Sequence, residues 1–307
     1  EIGSGLVGSE MCIRDRVNSI IDIANITFGV SPYVVGGIIT VLVTAITLGG
    51  LQSIAKTAEK IIPAMAVLYF LVTVSILVIF ADQIPNAVYQ IIHDAFTPTA
   101  ATGGFLGATV MLAMRSGIAR GVFSNESGLG SAPIVAAAAK TKWPAEQGLI
   151  SMTGTFIDTI IICTLTGLTL VVTGVWKGDL NGAALTNAAF AQAYPAFGSY
   201  LLCACLALFA FTTILGWNYY GERCMIYLAG TKAILPYRIV FILLIASAAF
   251  LKLEVIWTLA DIVNGLMAIP NLIALIGLSG VVVAETRRFN AHVKEEEEES
   301  KKEKEIA

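Results

Sequence analysis

RSGIARGVFSNESGLGSAP, residues 115–133, interrupts an apolar stretch with charge, amide and glycine. Arg115, Arg120, Asn125 and Glu126 are costly facing lipid. Gly117, Gly121, Gly128 and Gly130 are poor helix formers, and Pro133 has no amide hydrogen. The pattern predicts two half-helices joined by an extended segment near mid-membrane, the first ending near Ala119–Gly121 and the second starting near Ser127–Ser131. Such backbone survives in a bilayer only where it is buried in protein or lines a wet cavity. The amide groups of the second half-helix then face the break and hold a carboxylate. The carbonyls ending the first can bind a cation or an ammonium group. A small zwitterion fits both. The bland alternative is a kinked helix whose polar groups satisfy one another.

The rest of the chain makes lipid the expected solvent. Of 307 residues, 56% are hydrophobic and 13% charged, with a mean hydropathy of +0.79. A soluble domain carries roughly 25% charged residues, so the expected class is an all-α polytopic membrane protein. The net charge of −3 is dominated by an acidic tail. No basic stripe with interleaved aromatics is present, which argues against a nucleic-acid partner. Cys12, Cys163, Cys203, Cys205 and Cys224 lack metal-type pair spacing and read as free thiols. His93 and His292 are the two histidines, leaving little for acid–base or metal chemistry.

A spanning helix needs about 20 mostly apolar residues. Segments near 33–51, 61–80, 105–139, 147–175, 199–228, 236–252 and 257–285 qualify, about seven spans. Basic residues orient them. Lys56 and Lys60, Lys140 and Lys142, Arg223, Lys232 and Arg238, and Arg287 and Arg288 fall on one side. The alternate loops hold only Lys177 and Lys252 among Asp82, Asp94 and Asp179. The C-terminus is therefore expected to be cytoplasmic. Residues 84–96 read as a helix lying on the outer surface, and 178–198 as a small external cap. Residues 1–16, EIGSGLVGSEMCIRDR, match no signal peptide and differ in character from the apolar chain beyond them, so they read as a foreign leader. Residues 17–290 form the transmembrane region and 291–307 a charged tail, solvated and mobile.

FTTILGWNYYGER, residues 211–223, is a second polar cluster. Thr212 and Thr213 offer the hard oxygens sodium prefers, although a threonine in a span often bonds back to its own helix. Trp217 could wall a pocket or simply pack. Glu222 and Arg223 are placed to pair. Asp158 reads as a structural partner or the counter-charge of Arg115 or Arg120. Asp261, Asn264 and Asn271, in ADIVNG and AIPN, point to a local irregularity in the last span.

Five runs carry a resemblance: ITLGGLQSIAKTAEKIIPAMAVLY at 46–69, RGVFSNESGLGSAPIVAAAAKT at 120–141, SMTGTFIDTIIICT at 151–164, TTILGWNYYGE at 212–222 and AIPNLIALIGLSGVVVAET at 268–286. Together they resemble the alanine or glycine:cation symporter family, the sodium:alanine symporters. The resemblance implies a LeuT-like fold of two inverted five-helix repeats, with residues 105–290 as the second repeat and 17–80 as the end of the first. It implies symport of alanine or glycine with sodium into the cell, across the plasma membrane of a bacterium. Sodium is a co-transported ligand, and no cofactor is implied. By motif it marks Phe123, Ser124, Asn125 and Gly128 as substrate-binding residues, Trp217 as a pocket wall, and Thr212 and Thr213 as sodium ligands. Glu126 would brace the half-helices. The family's earlier helices are not matched, so the resemblance implies part of a longer protein, whose oligomeric state the sequence does not address.

Two other classes compete. An intramembrane hydrolase would use Ser124 or Ser127 as nucleophile, but a serine needs a base, and only Glu126 or Asp158 could serve within the membrane. A third class is a channel or a non-transporting sensor: a channel would show charged rings or a filter loop, and neither is visible in the sequence, while a sensor would bind its ligand without flux. An inactive fragment is the remaining alternative.

Overall fold

The computed structural model describes residues 2–96, 106–180, 182–247 and 253–306, which form helices and short connections without a strand. In chain order the helices are α1 (Ile2–Phe28), α2 (Pro32–Leu48), α3 (Gly50–Ile79), α4 (Ile84–Phe96), α5 (Leu106–Asn125) and α6 (Ala132–Ala136). They continue with α7 (Pro144–Phe156), a π-helical turn (Ile157–Cys163), α8 (Thr164–Thr173), α9 (Gly182–Ala193), α10 (Gly198–Ala229), α11 (Ile234–Ser247) and α12 (Leu253–Ile306).

Among the described residues, four stretches are long and apolar enough to cross a membrane: Gln52–Ile79, Pro144–Thr173, Gly198–Ala229 and Gly265–Lys302. Among the other expected spans, α2 has 17 residues and α11 has 14. The third divides into α5 and α6, as its polar middle predicts. α1 continues through residues 2–16, which the sequence sets apart, into Val17–Phe28.

The core is built from residues repeating every fourth position, which stack on one helix face. Val35, Ile39 and Val43 of α2, Tyr237, Phe241 and Ile245 of α11, and Val263 and Met267 of α12 meet Ile214, Leu215 and Trp217 of α10 and Val17, Ile20 and Ile21 of α1. The opposite faces are apolar and exposed, as with Val34, Ile38 and Val41 of α2. Exposed apolar surface of that extent is what a lipid-facing helix presents. Within the apolar helices, hydroxyls turn inward: Thr40, Thr47, Thr73 and Thr173 each donate to the carbonyl four residues earlier.

One expectation is corrected. Glu222 pairs not with Arg223 but with Arg238 of α11, whose Nη2 lies 3.0 Å from Oε2, while Arg223 lies over the Tyr219 ring. Residues 222 and 223 are about 100° apart on a helix and cannot share a face. At AIPN, α12 continues through Pro270, which has no N–H to give the carbonyl one turn earlier, so the irregularity there is a missing helix bond and not a break. The side chains of Asp261 and Asn264 lie outside the described residues. The charged tail is exposed over Lys294–Lys302, as a solvated run is, and continues α12 to Ile306. Its residues are strong helix formers, and Glu297–Lys301 and Glu298–Lys302 have the favourable order for pairs one turn apart.

α4 forms where the outer-surface helix is expected, with Ala87 buried beside Leu77 and Val172. The expected cap region holds α9, whose Ala189 and Phe190 are fully buried. α9 meets α10 so closely that a Cβ on Gly198 would lie 2.1 Å from the Phe190 carbonyl oxygen. Gly198→Ala is therefore expected to destabilise the fold by about 2 kcal/mol through overpacking. Gly167→Ala, with open space around it, is expected to be neutral or stabilising. Thermal unfolding midpoints of the two variants in detergent check the contrast.

Candidate functional site

The break in the third segment comes later than expected. α5 passes through Gly117 and Gly121 and ends at Asn125. Neither glycine meets packing within 4 Å, so each costs the helix about 1 kcal/mol and does not end it. What ends it is a run of left-handed residues: Glu126 at φ +55°, Gly128 at +79° and Gly130 at +80°. Alternating signs of φ are incompatible with a helix. For Glu126 the conformation is unusual and strained, a condition that clusters at functional sites. Among the described residues, the N–H groups of Gly128 and Gly130 have no hydrogen-bond partner. These are the bare peptide groups the sequence anticipates.

The second half-helix is shorter than expected. α6 has five residues, and Ser131 makes no side-chain cap bond. So short a helix has little aligned dipole.

Neighbouring helices hold the loop open. The Ser124 hydroxyl donates to Asp158 Oδ2 at 2.8 Å, and Asn125 Nδ2 donates to Thr159 Oγ1 at 3.1 Å. Asn125 Oδ1 in turn accepts the Ser127 N–H at 3.0 Å, closing a small side-chain turn. Asp158 and Thr159 belong to the π-helical turn, a conformation that often marks functional positions. Glu126 lies near the side chains of Ser131 and of Tyr220 on α10. Asp158 answers Ser124, and neither arginine is needed to explain it.

A cavity of about 610 Å³ opens beside the loop. Ser124, Asn125 and Gly128 line it, so three of the five substrate-binding expectations meet there. The side chain of Phe123 lies outside the described residues. Trp217 is buried in the core, 3% exposed, edge-on to Tyr220. Tyr220, one turn further along α10, lines the cavity, as do Thr155 of α7 and Asn271 of α12. The sequence signal for Tyr220 is its three-residue spacing from Trp217, which places both near one helix face. Asn271 carries a signal too, as a lone amide in an apolar span.

Thr212 and Thr213 stand apart from this cavity. The Thr212 hydroxyl donates to the carbonyls of Leu208 and Phe209, and that of Thr213 to Phe209. Each carries the intrahelical bond common to threonines in spans, leaving oxygen lone pairs free to accept or ligate. Ser124 beside Asp158 brings a hydroxyl to a carboxylate, but the histidines, His93 in α4 and His292 in α12, supply no imidazole to a hydrolytic site here.

Apolar spans around a cavity at a helix break define a helical, multi-pass membrane protein. The chain belongs to the sodium:alanine symporter family, whose model matches residues 9–304. It is 52% identical over 281 residues to an uncharacterized transporter of Haemophilus influenzae, covering 91% of this chain and 62% of that protein. It is 47% identical over 279 residues to the sodium/alanine symporter AgcS of Methanococcus maripaludis, covering 90% and 60%. With the probable sodium/glutamine symporter GlnT of Bacillus subtilis it shares 38% over 271 residues, covering 87% and 55%. The chain thus spans 55–62% of the length of these relatives.

Gly128→Ala meets no neighbour within 4 Å at φ +79°, so its expected cost is backbone strain alone, about 1–2 kcal/mol. Gly128→Asn is expected to cost less, because asparagine is enriched at positive φ. Unfolding midpoints of the two variants in detergent give the order.

Proposed function

We propose that this chain is the substrate-bearing part of a longer sodium-coupled symporter that carries small neutral amino acids, alanine or glycine, into the cell by alternating access. One observation carries the reading: a helix opens at Glu126–Ser131, beside a cavity of about 610 Å³, where the peptide N–H groups of Gly128 and Gly130 have no partner among the described residues. Loop amides suit a carboxylate, and the small residues around them admit a small solute. Family membership and the sodium/alanine name of one relative support substrate and ion.

In this reading Phe123, Ser124, Asn125 and Gly128 receive the amino acid. Asn125 retains one amide hydrogen and one carbonyl lone pair beyond its internal bonds. Thr212 and Thr213 ligate sodium together with helices of the longer protein, and Trp217 stiffens α10 behind the pocket. Residues 105–290 act as the second repeat of a LeuT-like fold, and the C-terminus is cytoplasmic. Coupling requires that sodium and substrate each bind better when the other is present. One methylene is worth about 1–3 kcal/mol in such a pocket, so alanine and glycine are expected to differ by degree.

The test is uptake by the full-length protein carrying this sequence, reconstituted in vesicles. Alanine uptake is expected to collapse without an inward sodium gradient; equal uptake without one would overturn the proposal. Asn125→Ala is expected to raise KM for alanine about 10-fold, the loss of one hydrogen bond. Thr213→Val is expected mainly to raise the sodium concentration for half-maximal uptake. Equal loss of both affinities in each variant would refute that division.

A further inference from the structure

A second cavity, of about 320 Å³, lies on the other side of the helix break. Tyr69 of α3, Cys163 of the π-helical turn, Thr166 of α8 and Ala183 and Thr186 of α9 line it. The larger cavity reaches the opposite way, to Gln147, Gly148 and Ser151 near the start of α7. Among the described residues, Ser124 and Asp158 are the two that border both. Their side chains meet at 2.8 Å between α5 and the π-helical turn.

We propose that the Ser124–Asp158 hydrogen bond is the partition between two vestibules, making Asp158 a positioning residue that separates the α9 side from the substrate cavity. The inference rests on the transporter reading for its purpose. Among the described residues this pair is where the two linings meet, so its hydrogen bond stands between the cavities. The pair is built for that position: one hydrogen bond joins two short side chains, and it breaks without unpacking a core. The neighbouring Asn125–Thr159 bond holds the two backbones in register when the Ser124–Asp158 bond opens.

The experiment reads accessibility in the full-length protein with Cys205, the other thiol lining the smaller cavity, replaced, so that Cys163 reports that cavity and Ser151→Cys reports the larger one. A charged, impermeant thiol reagent is applied on whichever side labels Cys163, with Cys163 then replaced for the Ser151→Cys series. With Asp158 intact, labelling of the probe is expected to be slow. Asp158→Ala is expected to speed it at least 10-fold. Asp158→Asn keeps an acceptor oxygen for Ser124 and is expected to restore protection. Thr159→Val, which removes only the adjacent bond, is expected to leave labelling slow. Equal labelling with Asp, Asn and Ala at position 158 would overturn the partition, as would labelling of the Asp158→Asn variant as fast as that of Asp158→Ala. Monodisperse elution and unchanged Cys163 labelling in each variant identify folded protein. Labelling needs no transport and sodium-dependent uptake needs no probe, so the two proposals fail separately.

Discussion

Peptide groups inside a bilayer must find partners within the protein, because lipid offers none. Among the described residues the chain is helical almost throughout, and several threonine hydroxyls turn back to carbonyls of their own helix. The segment Glu126–Ser131 departs from that pattern, with left-handed residues at 126, 128 and 130. A departure of this kind is tolerable only beside a polar space, and the cavity along Ser124, Gly128 and Gly130 provides it. The site is therefore a consequence of the break, and the break is a consequence of residues that cannot continue a helix.

The surrounding helices divide the labour of holding that loop. α7 and its π-helical turn bring two adjacent acceptors, Asp158 and Thr159, to two adjacent donors, Ser124 and Asn125. α10 contributes Tyr220 against Glu126, and α12 contributes Asn271 to the cavity wall. Behind them, α1, α2, α10, α11 and α12 share one apolar core, so groups at the loop are mounted on packed elements. The Glu222–Arg238 pair ties α10 to α11. Its net worth in stability is small because both charges are desolvated, while losing one partner would strand the other.

Relatives in the family carry names that specify different amino acids, alanine in one and glutamine in another. Under the proposed function, a loop of main-chain amides would meet the carboxylate that all amino acids share, and the substrate side chain would be left to whatever lines the rest of the cavity. In this chain that lining includes Tyr220, Thr155 and Asn271, residues from three different helices.

Much of this is legible in the sequence. The apolar runs, the polar interruption at 115–133 and the motifs of the family are local features, and helix formation in lipid follows from local composition. Ser124, Asn125 and Gly128 stand out as site residues because polar groups and glycines are anomalous inside a span. The sequence by itself determined that the chain is helical, that it is apolar enough to cross a membrane, and that its third span breaks. Only the tertiary structure decided which side chains meet across the break. The Asp158–Ser124 bond, the choice of Arg238 over Arg223 for Glu222, and the place of Tyr220 rather than Trp217 on the cavity depend on helix rotation and register. Those are set by packing between segments far apart in the chain, which no local pattern encodes.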